Sequence, residues 1–314
     1  MSETTQWVKK LSSKHNTHYW FNTTSGESRW EPPEDVRESK KPRIEKPEEA
    51  PSTREEEVKS ESSNIDVAII VPFRDIHSEQ RRSEHLARFI PEMTAFLQKS
   101  RSNCHIYIIE QSTDERRFNR GKLLNIGFDI ARKKGCQIFV FHDVDLLPSS
   151  DLLHYYITLP TPGPVHIARV WERYSRNPDY FGGIVAFSRD QFETINGFPN
   201  NFWGWGGEDD EMIKRVRECN MKTSSPNEGS IEDMEGMNLN EKLQFLRQHR
   251  DWKCQKKWEV LEEHARTWRS NGLSDLCYNV VDTVDMNSMC TKVTVDIKLN
   301  GHWTDGECKF RTDR

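Results

Sequence analysis

Three near-continuous apolar runs constrain this chain most: DVAIIVPF (66–73), HIYIIEQ (105–111) and IFVFHDVDLL (138–147). They do not alternate with polar residues, as strands with one wet face do, so they read as strands covered on both faces. Between the first two lies SEHLARFIPEMTAFLQKS, where Leu86, Phe89, Ile90, Met93, Phe96 and Leu97 fall at helical spacing. Between the second and third lies GKLLNIGFDIARKKG, closing on Gly135 as a helix stop. The order strand–helix–strand–helix–strand predicts an α/β domain with a mostly parallel, doubly wound, Rossmann-like sheet, its ligands gathered where the strands end.

The other segments read differently. The 314 residues suffice for one sizeable core and a small module, but with 34% hydrophobic and 30% charged residues part of the chain is not expected to pack. Residues 35–63 carry dense mixed charge and few apolar side chains, the composition of a flexible tether. KKPR (40–43) within it reads as a solvated charge cluster before it reads as a nuclear-import signal. A net charge of −5 gives no basic footprint, so no nucleic-acid partner is expected. No apolar run approaches the roughly 18 residues of a membrane span. The first residues lack the apolar core of a signal peptide, which leads to the expectation of a cytosolic or nuclear chain, or a Golgi one if an N-terminal anchor is missing from this sequence. The seven cysteines show no CxxC pair or regular framework and are expected as free thiols.

Near the N-terminus, Trp7 and Trp30 bracket an aromatic triplet, Tyr19-Trp20-Phe21, followed by the turn signal Thr24-Ser25-Gly26. Alternation through the triplet suggests short antiparallel strands. Residues 6–34 resemble a WW domain. That resemblance implies a three-stranded antiparallel sheet buckled by Trp7, Trp20 and Pro33, with Tyr19 and Trp30 gripping a proline-rich peptide in polyproline II form. Thr23 stands where readers of PPxY carry histidine, which favours plain proline runs.

Two features of the larger domain carry chemistry. The third apolar run ends His142-Asp143-Val144-Asp145, and alternation along a strand lets both carboxylates point one way, suited to a hard divalent cation against a diphosphate. Farther on, FWGWGGEDDE (202–211) sets two tryptophans and three glycines against four acids at a helix start. Four acids there suit the helix dipole, but that leaves the tryptophans and glycines unexplained.

VPFR (71–74), RFNRGKLLNIGF (117–128), FHDVDLLP (141–148), YFGG (180–183) and NGFPNNFWGWGGEDDE (196–211), in this order, resemble the β-1,4-galactosyltransferase family. SNGLSDLCYNVVD (270–282) and TKVTVDI (291–297) continue the likeness, so it covers about residues 64–300, with several motifs similar to the xylosylprotein branch. The resemblance implies a nucleotide-diphospho-sugar transferase fold of the GT-A type over residues 64–314, a UDP-sugar donor and Mn²⁺. It places Pro72, Phe73, Arg74, Phe118 and Arg120 at the donor, with Asp143 and Asp145 flanking the metal. Ile76 stands where the motif's second arginine belongs, and Arg82 is its natural substitute. Asp209 is implied as catalytic base, Trp205 and Gly206 as donor contacts in a loop that closes over it, and Trp205, Glu208 and Asp210 as acceptor contacts. His249 is the implied second metal ligand. Leu246 and Arg247 do not supply the family's third, which leaves Met234, Met237 or water. Tyr180 matches the position where galactose users carry tyrosine, which favours UDP-galactose over the N-acetyl donor.

These residues predict an inverting, Mn²⁺-dependent galactosyltransferase acting on a carbohydrate acceptor, with a WW module recruiting proline-rich partners. The rivals are a proline-motif adaptor whose transferase domain has lost or changed its chemistry, and the same chemistry with UDP-glucose.

Overall fold

The computed structural model describes residues 7–12, 17–25, 27–29, 66–299 and 305–309. Trp30, Pro33 and the expected tether lie outside the described residues. The chain divides into two compact units, 1–61 and 62–314.

In the first unit, β1 (Trp7–Ser12), β2 (Thr17–Asn22) and β3 (Ser28–Arg29) form an antiparallel sheet in that order. Trp7 pairs with Asn22, and Trp20 with Arg29. The Asn22 side chain accepts hydrogen bonds from the backbone N–H groups of Thr24 (2.9 Å) and Ser25 (3.0 Å), the local bonding by which asparagine favours a turn. The Arg29 guanidinium lies 5.4 Å from the Trp7 ring centre.

The second unit is built on a seven-stranded sheet ordered β11-β12-β5-β4-β6-β9-β8. Its strands are β4 (Val67–Phe73), β5 (Cys104–Gln111), β6 (Ile138–His142), β8 (Val165–His166), β9 (Ile184–Ser188), β11 (Tyr278–Asn287) and β12 (Cys290–Ile297). Strands β12, β5, β4 and β6 run parallel, while β11, β9 and β8 pair antiparallel. The sheet is therefore mixed rather than mostly parallel. After β6 the chain returns to the same edge through β8 and β9 rather than by a helical crossover into a further parallel strand.

Strand β4 shows why the apolar runs are continuous. Val67, Ile69, Val71 and Phe73 face one core layer, shared with helix α1 (Arg82–Leu97) through Leu86, Phe89, Met93, Phe96 and Leu97. Ala68 and Ile70 face the other layer, shared with helix α2 (Arg120–Lys133) through Leu123, Leu124, Ile126 and Phe128. Helix α2 packs so close that a Cβ on Gly127 would lie 2.2 Å from the Ile70 side chain, so only glycine fits.

The third run does not continue as one strand. It ends at His142, turns through 143–145, and resumes as β7 (Leu146–Pro148), which pairs antiparallel with β10 (Ile231–Asp233) in a separate two-stranded sheet. The Met234 N–H donates to the Asp145 carbonyl at 2.8 Å, so the chain after β10 is pinned beside the two aspartates.

Candidate active site

A cavity of about 320 Å³ opens beyond the ends of β4 and β6. Pro72, Phe73 and Arg74 enter from the end of β4, Phe118 and Arg120 from the start of α2, Asp143 and Asp145 from the turn after β6. Tyr180, Trp205, Gly206, Glu208, Asp209 and Asp210 form the facing wall, and Arg82 reaches in from the start of α1. His249 does not line the cavity.

Helix α3 (Glu208–Glu218) begins inside this wall. Gly207 precedes it at φ 111°, and a Cβ there would lie 2.3 Å from the Phe202 ring. This left-handed backbone and close approach require glycine, and they aim the helix's first turn at the cavity. Glu211, the fourth acid, turns away. It is buried against Arg215 (3.2 Å) and His264 (2.7 Å), so its role is structural.

Arg120 organises the acids. Its Nε donates to Asp143 Oδ1 at 2.7 Å and its Nη1 to Asp209 Oδ1 at 2.8 Å, with Glu208 at 3.6 Å. Burial raises the pKa of Asp209 well above the usual carboxylate range, and the nearby Glu208 and Asp143 add to this against the opposing Arg120. Burial likewise raises Asp143 and Glu208. Such carboxylates accept a proton readily. Gly182 lies directly against Asp209, where an added Cβ would be 2.2 Å from Oδ2.

The cavity is furnished for an anion. Arg74 donates to Asp114 at 2.9 Å and to the Arg116 carbonyl at 2.5 Å. Its Nε, like the Nη2 of Arg120, is buried without a hydrogen-bond partner among the described residues. A buried N–H without a partner is costly, and an anionic ligand in the cavity would relieve it. Tyr180 is held rigidly by stacking on Tyr174, ring centres 4.1 Å apart and planes 21° from parallel. Trp205 keeps 42% of its surface exposed, while its N–H donates to the Trp252 carbonyl at 2.7 Å and its own carbonyl accepts from Cys254 at 3.1 Å. Asp210 meets Lys257 at 2.6 Å.

The expected metal ligands are not brought together. His249 caps the end of helix α4 (Leu239–Gln248), where its Nδ1 lies 2.9 Å from the Phe245 carbonyl and its ring stacks on Trp252 at 4.0 Å. The Trp252 ring lines the cavity, whereas the imidazole stacked on it does not. Asp145 Oδ2 instead accepts from Arg82 Nη1 at 2.6 Å, which holds that carboxyl below the usual range despite its burial. Of the methionines considered, Met234 packs on the core, and Met237 offers its carbonyl to Arg173. Among the described residues no group of three or more His, Cys, Asp or Glu is arranged to hold a metal ion. Asp143, Asp145 and His77 line the cavity and His85 lies 3.4 Å from Arg82 Nη1, so carboxylate and imidazole, the donors that suit manganese, both occur at or beside it.

Sequence reasoning missed several residues here. Glu235, Arg173, Lys242 and Tyr174 line the cavity, and Gly182 backs Asp209. The charge density of IEDMEGMNLNEK was the available signal, but nothing local tied it to Asp145.

A mixed sheet with arginines and buried acids at its strand ends makes an anion-binding cleft, and comparison with known proteins assigns the domain to the glycosyltransferase class. The profile "N-terminal region of glycosyl transferase group 7" matches residues 34–158, and "N-terminal domain of galactosyltransferase" matches residues 163–238. Beta-1,4-galactosyltransferase 4 of Cricetulus griseus is 35% identical over 232 residues, 73% of this chain and 63% of the relative. Beta-1,4-galactosyltransferase 1 of Homo sapiens is 37% identical over 238 residues, 74% of this chain and 54% of the relative. The chain thus spans little more than half the length of such relatives. The catalytic domain of Drosophila beta-1,4-galactosyltransferase 7, solved with xylobiose, superposes with a TM-score of 0.62 at 31% identity, covering 75% of this chain and 95% of that one. An Asp-to-Asn variant of the Drosophila protein, solved with manganese, UDP-Gal and xylobiose, matches at 30% identity with the same TM-score of 0.62. The chain belongs to the β-1,4-galactosyltransferase family.

Membership corrects the expected compartment. The β-1,4-galactosyltransferase relatives are Golgi enzymes, which points away from a cytosolic or nuclear chain. No helix among the described residues is long and apolar enough to cross a membrane.

Proposed function

We propose that this chain transfers galactose from UDP-galactose to a sugar hydroxyl with inversion at the anomeric carbon. The observation that carries the reading is Asp209, a buried carboxylate of raised proton affinity at a helix start, held by Arg120 beside Asp143 in an arginine-rich cavity. Asp209 takes the proton of the acceptor hydroxyl as that oxygen attacks the anomeric carbon from the face opposite the diphosphate. The bond from that carbon to the diphosphate oxygen breaks, and its electron pair leaves with UDP. Arg74 and Arg120 present N–H groups for the phosphate oxygens, and Pro72 and Phe73 offer the uridine an apolar surface. Trp205 gives the acceptor ring a flat face, and Glu208 and Asp210 accept from its hydroxyls. The Tyr180–Tyr174 stack leaves little room beside C2, which favours galactose over its N-acetyl counterpart.

Turnover across a panel of UDP-sugars tests this, with xylobiose, the ligand in the Drosophila complexes, as first acceptor. UDP-galactose should be used in preference to UDP-glucose and UDP-N-acetylgalactosamine. No transfer from any donor would sink the enzymatic reading.

The antiparallel sheet of the first unit supports a further part of the proposal, a WW module that binds proline-rich segments through Tyr19 and Trp30. Binding of a proline-rich peptide with no transfer activity at all would favour the adaptor reading instead.

A further inference from the structure

We infer that the C-terminal segment 305–309, gripped by Arg117, is a clamp that fixes Trp205 in the cavity wall and so sets how tightly the acceptor sugar is held. The inference rests on the acceptor reading of Trp205 above and goes beyond it.

Two adjacent residues before α2 hold the two loops that meet at this tryptophan. The Phe118 carbonyl accepts from the Gly204 N–H at 2.8 Å. The buried Arg117 guanidinium donates through Nε to the Asp251 carbonyl at 2.7 Å. Beyond these anchors the two loops pair. The Trp205 N–H donates to the Trp252 carbonyl at 2.7 Å, and the Cys254 N–H donates to the Trp205 carbonyl at 3.1 Å. Gly204 lets them meet, since a Cβ there would lie 2.6 Å from the Lys253 backbone. Trp205 is 42% exposed, so this backbone pairing, more than core packing, sets where its indole stands.

The second loop needs an anchor from outside. Arg250–Trp252 is a single 3₁₀ turn with no buried residue, and a segment with so little apolar burial opens easily unless it is tied. Arg117 is that tie, and the C-terminal segment holds Arg117. Its Nη1 donates to the Glu307 carbonyl at 3.0 Å, and its backbone N–H donates to the Cys308 carbonyl at 2.8 Å. Cys308 is fully buried in the core layer shared with α2, which pins the segment. The Glu307 side chain also pairs with Lys256, two residues beyond Cys254, so the segment meets the loop at a second point. One guanidinium thus joins carbonyls 134 and 190 residues away along the chain. Hydrogen bonds from a charged donor are among the strong ones, and removing the donor deprives both carbonyls at once. The segment lies outside both matched family profiles.

The test is fluorine NMR of the full chain labelled with fluorotryptophan, the Trp205 signal being the one lost in Trp205→Phe. Two changes release the clamp from opposite ends: Arg117→Met, and a chain ended after residue 304, which removes no residue that lines the cavity. Either should shift or broaden the Trp205 signal while most other tryptophan signals hold. The two together should do little more than one alone, as expected of groups that act as a unit. In turnover, either should raise the KM for xylobiose by about tenfold, with kcat and UDP affinity within about threefold, the pattern of lost acceptor binding. An unmoved Trp205 signal in the shortened chain overturns the inference, as does a moved signal with KM unchanged. Should all tryptophan signals collapse together, Lys256→Met, which breaks the Glu307 pair, decides on the same signal: movement upholds the clamp and no movement overturns it. A moved Trp205 signal in a protein whose wild type transfers no sugar upholds the clamp and removes the acceptor reading.

Discussion

Arg120 Nη1 donates to Asp209 Oδ1 at 2.8 Å, so the candidate base is already paired with a guanidinium. The pairing aims one carboxylate oxygen and leaves Oδ2 against the backbone at Gly182. It separates two properties that a single acid would otherwise mix, its position and its proton affinity.

Asp209→Asn removes the proton acceptor and keeps the shape. Transfer should fall by about 10²–10⁴, the usual span for a general base, while UDP affinity stays within about twofold. Comparing turnover with a UDP titration reads both. Near-normal turnover would place the base elsewhere.

Gly182→Ala tests positioning alone. The added Cβ would start 2.2 Å from Asp209 Oδ2 and 3.0 Å from the Tyr180 ring, so the carboxylate has to move. A displacement of about 1 Å can cost on the order of 10²-fold in rate, so kcat should drop while UDP binding persists. An unchanged kcat would mean the position of Asp209 does not limit the reaction.

Tyr180→Leu removes the ring stacked on Tyr174 and opens the wall beside the donor sugar. Transfer from UDP-N-acetylgalactosamine should rise relative to UDP-galactose by about tenfold, roughly 1.4 kcal/mol of discrimination. The measurement is the ratio of the two kcat/KM values, and a constant ratio would remove the reason for naming galactose.

Stability should fall as pH drops from about 6.5 toward 4. Burial pushes His142 and His166 down to about 4 in the folded chain, below the ordinary value of about 6.5. Between those values the unfolded chain binds the extra protons, so their contribution is fully present above about 6.5 and lost through the window below it. Each contributes roughly 3 kcal/mol at most. Guanidinium midpoints at pH 7 and 4.5 check this, and equal midpoints would show that the two rings bind protons equally in the folded and unfolded chains.

In the first unit, Trp7→Ala should unfold the small sheet, whereas Tyr19→Ala should leave it folded and weaken a proline-rich ligand of micromolar affinity, about −8 kcal/mol, by tenfold or more. Chemical shifts of the isotope-labelled full chain, with and without peptide, separate the two effects. A folded Trp7→Ala sheet would contradict the buckle assigned to that tryptophan.

Periodicity and punctuation carried much of the fold. DVAIIVPF became β4 almost residue for residue, and Gly135 follows α2 at φ 95° as a stop should. Apolar runs without alternation have only one favourable fate, burial on both faces, and that requirement is local to the run. FWGWGGEDDE was legible for the same reason, because the left-handed backbone at Gly207 is a local demand.

The tertiary structure decided what those runs could not. Asp145, Arg82 and Glu235 meet across sequence separations of 63 and 153 residues, joined by the short β7–β10 pairing that no periodicity announces. Trp252, three residues after His249, lines the cavity while His249 stacks on its ring without lining it. The sequence by itself determined which residue types were present to bind phosphate and take a proton. Which carboxylate met a cation of the protein depended on through-space charge pairing in a buried cavity, where separation in space sets the energy and separation in sequence does not enter.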